Sequence, residues 1–335
     1  MTRDDNSELV RFAERLDKLE KRLAGIERTA NSIHDLLQAR LRRRWRDKFR
    51  PRLWHYRQYA PHALHIPSAY ESQTAPEKAP RIAVVTPSYN HVRYLGATID
   101  SMLAQNYPNL AYVVEDGGSM DGTRQLLESY GDQFVWRSER DAGQASAINR
   151  GFARIDGEIM AYLNSDDILL PGALAYVAQT FLAEPTIDVI YGHRIFIDED
   201  GAEIGRWVLP PHDRKTLKWA DYIPQETMFW RRRVWEKSGP LDEGLQYAID
   251  WDFALRAQAA GFRFKRVPRF LACFRVHDEQ KSTAMIEVGS SEQRRLRQAH
   301  LGYDPDGAAI QRATRAYLRR HVLFHGLFRL GLVKY

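Results

Sequence analysis

The stretch Met160-Ala-Tyr-Leu-Asn-Ser-Asp-Asp167 constrains the fold more than any other part of the chain. An apolar run stops at an acidic pair, and Ile168-Leu-Leu-Pro-Gly172 then resumes the apolar pattern. A short strand whose C-terminal end carries carboxylates is where an open α/β sheet places its ligand chemistry. Asp166 and Asp167, with Asn164 just before them, can hold a hard divalent cation through oxygen ligands, and that cation can hold a diphosphate. The plainer alternative is a polar turn whose Asp caps the next helix.

The surrounding segments repeat the same unit. Arg81-Ile-Ala-Val-Val-Thr86 is a β-branched apolar run, followed by the turn Pro87-Ser-Tyr-Asn90 and a helix with Leu95, Ile99, Met102 and Leu103 on one face. Strands are expected at Leu110–Glu115, Gln133–Trp136 and Glu158–Leu163. Helices are expected at Arg124–Tyr130 and from Asp141 through Phe152. Strands alternating with helices give a parallel sheet covered on both faces. Further strands are read at Asp188–Tyr191 and Arg194–Ile204, with Asp200-Gly201 as a hairpin turn. A helix over Ala248–Ala260 precedes a strand at Phe262–Val267. From Ala308 a basic helix carries Ile310, Ala313, Tyr317, His321, Phe324 and Phe328 at helical spacing. It either packs back on the domain or contacts a membrane.

Ahead of this domain, Leu9, Phe12, Leu16, Leu19, Leu23, Ile26, Ala30, Ile33 and Leu37 alternate steps of three and four. That spacing predicts a coiled coil over residues 1–44 and a homo-oligomer through it, the alternative being an amphipathic helix on its own domain. Residues 45–80 form a basic, aromatic segment and a linker holding Pro61, Pro67, Pro76 and Pro80. Trp45, Phe49 and Trp54 lie among arginines that fit anionic lipid, nucleic acid or plain solvation. Much of the net charge of +6 sits there, with nine Lys/Arg from Arg40 to Arg57. Residues 81–285 are the expected catalytic domain and 286–335 a basic amphipathic tail. A single cysteine, Cys273, excludes an internal disulfide framework and points to a reducing compartment. No run reaches the roughly 18 apolar residues of a membrane span, so a cytoplasmic location is expected.

Asp116 ends the second strand and Asp166–Asp167 the fourth, and in an open sheet those ends share one crevice. Gly117 and Gly118 permit close approach of a flat ligand, and Asp116 can accept from a pyrimidine N–H. Neither GxxxxGK[ST] nor GxGxxG is present, which removes the usual phosphate cradles of NTP hydrolysis and dinucleotide chemistry.

Thr86-Pro-Ser-Tyr-Asn90, Asp116-Gly-Gly-Ser-x-Asp-Gly-Thr123, Asp141-x-Gly-Gln, Ala147-x-Asn149-x-Gly151 and Leu163-Asn-Ser-Asp-Asp167 occur in this order. Pro224-Gln-Glu226, Ile249-Asp-Trp-Asp252 and Phe274-Arg-x-His277 follow. The set resembles the family 2 glycosyltransferases, of bacterial polysaccharide-assembly type, across Arg81 to Ser282. The resemblance implies a GT-A fold, an α/β Rossmann-like mixed sheet flanked by helices. It implies that Thr86, Pro87 and Tyr89 line a nucleoside pocket, Asp116 binds the base, Asp141 lies beside it and Asn149 braces the donor site. Asn164 and Asp166 stand at the family's Asp-x-Asp, with Asp166 holding Mn2+ or Mg2+ and His277 completing the metal or diphosphate shell. Asp250 would be the general base, with Asp252 as competitor. Gln225, Glu226 and Trp251 would lie on the acceptor side.

The expected activity is transfer of a sugar, with inversion, from a nucleotide-sugar to a glycan or lipid-linked acceptor in lipopolysaccharide O-antigen or capsule synthesis. UDP is the first expectation for the nucleotide. The work would be done in the cytoplasm, with peripheral contact at the anionic inner face of the plasma membrane; nucleic acid is the disfavoured partner. The alternatives are a coiled-coil scaffold that binds glycan without turnover, and a sugar nucleotidyltransferase. The latter wants a Gly-rich basic loop after the first strand, which Pro87-Ser-Tyr-Asn-His91 does not supply.

Overall fold

Residues 56–278, 280 and 285–335 are described by a computed structural model. The expected coiled coil, the basic aromatic run up to residue 55 and the pair Lys281 and Ser282 lie outside these residues. In chain order the elements are β1 (Ile82–Ser88), α1 (Val92–Leu103), β2 (Leu110–Asp116), α2 (Thr123–Ser129), β3 (Val135–Ser138), α3 (Gln144–Arg154) and β4 (Ile159–Tyr162). Then come β5 (Ile168–Leu169), α4 (Ala173–Ala183), β6 (Val189–Ile197), β7 (Glu203–Trp207), β8 (Phe229–Arg231), α5 (Arg232–Ser238), α6 (Ile249–Ala259) and β9 (Phe264–Arg275). Two helices, α7 (Ile286–Leu301) and α8 (Gly307–Arg329), complete the chain.

The strands form one mixed sheet in the order β3-β2-β1-β4-β8-β6-β9-β5, with β7 paired to β6. The parallel half runs outward from β1 to β2 to β3 and then returns to place β4 on the other side of β1. That reversal is a topological switch point, and it opens a crevice beyond the C-terminal ends of β1 and β4. Strand residues alternate between faces. Ala83 and Val85 pack on one side with Ala145, Ile148 and Phe152 of α3. Ile82 and Val84 pack on the other with Leu95, Ile99 and Met102 of α1. Burial on both sides is why β1 reads as an unbroken apolar run.

Some expectations are corrected and others are met. The third strand starts two residues later than expected, at Val135. Asp188–Tyr191 and the start of the next expected strand are one strand, β6, whose pairing with β9 shifts register around His193. The hairpin turn holds Asp200-Gly201 as expected, within Asp198–Ala202, where Asp198 Oδ1 accepts from the amides of Asp200 and Ala202. The expected linker is not free of the domain, since the amide of His62 donates to the Glu203 carbonyl and the amide of Glu203 donates back. The tail helix α8 packs on the domain through buried Tyr317 and His321, and Phe328 lies against Phe270 of β9.

Gly151 marks where α3 meets β1. A Cβ built there would lie 2.5 Å from Val85 Cγ1. Gly151→Ala gains about 1 kcal/mol of helix propensity but forces the helix off the strand, an overpacking cost of about 1–3 kcal/mol. The variant should therefore unfold at lower urea concentration than wild type, with an unchanged m-value.

Candidate active site

The crevice is built from loop ends whose polar groups interlock. Asp116 ends β2, opposite Ser88 of β1. Its Oδ2 accepts from the Ser119 amide at 3.0 Å and the Ser138 hydroxyl at 2.6 Å, and its Oδ1 accepts from the Ser119 hydroxyl. A carboxylate offers about four acceptor positions, so Asp116 is fixed in place with one position left for an incoming N–H. Gly118 holds φ +82, which only glycine adopts freely. A side chain at Gly117 would meet Asp141, whose Oδ2 lies 3.0 Å from the position of a Cβ. Asp141 thus lies directly over the Asp116 loop, anchored by the Gly143 amide at 2.8 Å.

From there the chain of contacts reaches the acidic pair. Gln144 Nε2 donates to Asn164 Oδ1 at 2.6 Å, and Asn164 Nδ2 donates to Gln225 Oε1 at 3.1 Å. Gln225 in turn donates to the Tyr162 carbonyl at 2.8 Å. The two aspartates that follow differ in environment. Asp167 is buried and accepts from the Arg275 amide at 3.2 Å. Burial, with Asp166 and Glu226 nearby, pushes its carboxyl well above the usual carboxylate range. Asp166 is half-buried, and its Oδ2 lies 3.0 Å from His277 Nε2. The antiparallel pairing of β5 with β9, Ile168 opposite Cys273, brings these two residues together across 111 positions.

Asp250 stands at the start of α6, its Oδ1 accepting from the Trp251 amide at 2.9 Å. Burial pushes its carboxyl up to about 6, although the backbone bonds and Arg194 pull it down. Asp221, which the sequence did not single out, is pushed well above the usual range by burial and then by Asp250. The buried Tyr162 hydroxyl feels Asp250, Asp221, Glu226 and Asp167 together, which ties the base candidate to the acidic end of β4. Asp252 is instead paired with Arg256 at 2.7 Å on the same helix.

Other expected site residues sit elsewhere. Thr86 is fully buried, and its hydroxyl accepts from Tyr112 at 3.1 Å, so it supports the crevice floor from beneath. Pro87 is buried beside it, while Tyr89 is 63% exposed at the rim. Asn149 spends its amide on Leu241 and Glu243 and braces that loop. Glu226 is held by Arg194 through two bonds of 2.6 Å. Trp251 corrects the expectation of an acceptor contact: it is fully enclosed, with Nε1 donating to the Leu217 carbonyl, and offers no face to a sugar.

Comparison with known proteins defines the class first. The fold is similar to S. aureus TarS 1-349 in complex with UDP-GlcNAc, at TM-score 0.54 and 20% identity over 75% of each chain. It is also similar to the mannosyltransferase PcManGT from Pyrobaculum calidifontis in complex with GDP-Man and Mn2+, at TM-score 0.52 and 20% identity, covering 86% of this chain and 78% of that one. The fold is GT-A. Residues 83–238 match the family described as Glycosyl transferase family 2. An uncharacterized glycosyltransferase of Nostoc sp. is 28% identical over 228 residues, 64% of this chain and 70% of that one. Chondroitin synthase of Pasteurella multocida is 27% identical over 240 residues, 68% of this chain but only 25% of the synthase. The family match spans residues 83–238, and with the glycosyltransferase relatives it marks the protein as an enzyme of glycosyl transfer.

Proposed function

We propose that the protein is an inverting, metal-dependent glycosyltransferase that moves a sugar from a nucleotide-sugar, UDP-linked first of all, to a glycan or lipid-linked acceptor of O-antigen or capsule synthesis. The observation that carries this reading is the carboxylate–imidazole pair Asp166 and His277 beyond the end of β4, with Asp250 and Asp167, the neighbour of Asp166, both acting on the buried Tyr162 hydroxyl. The known sugar-nucleotide complexes of similar folds support the donor class. The catalytic domain is assigned to residues 81–285, with oligomerisation through residues 1–44 and peripheral contact at the inner face of the membrane.

Among the described residues no cluster of three or more His, Cys, Asp or Glu is arranged to hold a metal ion. One carboxylate oxygen and one imidazole nitrogen, Asp166 Oδ2 and His277 Nε2, are donor types that fit a divalent cation. Asp166 and His277 would hold Mn2+ or Mg2+, which would supply Lewis-acid neutralisation of the diphosphate's charge. The protein's own residues do the rest. Asp116 and Asp141 hold the base end of the nucleoside, and Asp250 takes the acceptor's hydroxyl proton as that oxygen bonds to the anomeric carbon. The nucleoside diphosphate leaves from the opposite face with the bonding electron pair, so one displacement inverts the configuration.

The test is release of nucleoside diphosphate from a panel of nucleotide-sugars, with and without Mn2+. Chelation should abolish turnover. His277→Ala should raise the Mn2+ concentration for half-maximal rate by about tenfold or more, the order seen when metal-site residues are removed. A wild-type protein inactive across the whole panel, with acceptor glycans present, would sink the reading.

A further inference from the structure

Four of the exposed large apolar side chains among the described residues gather at one end of α8. Val322, Leu323, Leu330 and Leu332 are 36%, 56%, 74% and 68% exposed, all within one stretch of α8 and its end. The opposite face of α8 is taken up by the domain through Tyr317, His321, Phe324 and Phe328. Arg312, Arg315 and Arg319 precede Leu323 on the solvent face at steps of three and four, so basic and apolar groups share one strip about 27 Å long. From Gly307 to Tyr335 the sequence contains no Asp or Glu. Arg320 on the flank is paired with Asp213, whereas Arg312, Arg315 and Arg319 have no ion pair among the described residues. No helix among the described residues is long and apolar enough to cross a membrane.

We propose that the solvent face of α8 docks on an anionic lipid bilayer. The arginines meet the headgroups, and Leu323, Leu330 and Leu332 sink to the acyl boundary with the helix lying parallel to the surface. Charge complementarity selects this occupant. A strip of uncompensated arginines repels a second copy of itself, while a negatively charged leaflet attracts it. The leucines then bury area that water otherwise covers, as in an interfacial helix. This inference deepens the peripheral-membrane part of the proposed function, and it requires no particular sugar or acceptor.

The test is flotation of the full chain with vesicles of phosphatidylcholine alone and of phosphatidylcholine containing phosphatidylglycerol. Wild type should float with the anionic vesicles and lose binding as salt rises. Arg315→Glu with Arg319→Glu should weaken partitioning by about 30-fold or more, since each basic residue near such a surface contributes roughly a fivefold factor. Leu323→Ser with Leu330→Ser should also lose binding while leaving nucleoside diphosphate release intact. Undiminished flotation of both variants, or a change in oligomer mass without any change in flotation, would overturn the proposal. Loss of turnover in Asp250→Asn is read separately, so failure of the docking surface and failure of the transferase reading are distinguishable.

Discussion

Asp250→Asn should lower kcat by about 10²- to 10⁴-fold, the range that a positioned general base contributes, while the circular dichroism spectrum stays that of wild type. The pH dependence gives a second readout. Asp250 must be ionised to accept a proton, and burial places its titration at about 6. Wild-type kcat/KM should therefore rise with pH through about 6 and level off above it. Asp221 holds its proton longer, since burial and then the Asp250 carboxylate push it well above the usual carboxylate range. It is therefore neutral while Asp250 ionises, and Asp221→Asn should leave both the midpoint near 6 and most of the plateau rate unchanged.

The same residue links pH to stability with a definite sign. A carboxyl raised in the folded state binds its proton more tightly there than in the unfolded chain. Its contribution to stability is complete below the ordinary carboxylate range and is lost as pH rises through about 6. Asn carries no such charge. Asp250→Asn should thus melt no lower than wild type at pH 8, and its advantage should shrink as the pH falls towards 4. A melting temperature well below wild type at pH 8 would show Asp250 to be structural, not a base held ready at a cost in stability.

The largest loss of stability is expected at Glu226. Its carboxylate and the Arg194 guanidinium are both buried and share two bonds of 2.6 Å. The guanidinium also lies over the rings of Phe274 at 4.7 Å and Trp207 at 5.1 Å. Glu226→Ala removes the two-bond partner of that buried cation and leaves it only the more distant acids such as Asp167, which costs about 3–5 kcal/mol when one partner of a buried pair is removed. Replacing both partners, with Arg194→Met and Glu226→Leu, should recover most of the loss in urea denaturation. If the single variant costs under about 1 kcal/mol, the pair behaves as a surface contact would.

How far the sequence could be read depended on whether a residue's neighbours were close in the chain. β1, β2 and β4 were legible because burial on both faces leaves unbroken apolar runs, and the turn after β2 because glycine at φ +82 is chemically forced. β8 was not, since three residues, Phe229–Arg231, carry no period of their own and gain strand geometry only by inserting antiparallel between β4 and β6. Trp251 was placed beside the acceptor because it adjoins Asp250, yet one helical step rotates it into the core. Asp221 gave no signal, as an acid in a loop looks solvated until a second carboxylate is folded against it. The pairing of Asp166 with His277 could be reached by resemblance but not by spacing, since it depends on a strand register.

That register has a consequence for the enzyme's life history. β5 has two residues and is held by β9, while the matched family region ends at 238, before both Asp250 and His277. On the roles proposed above, a chain that ends after α5 keeps the loops assigned to the nucleoside but lacks both Asp250 and His277. Turnover would then require synthesis to have passed β9, whose register sets His277 against Asp166.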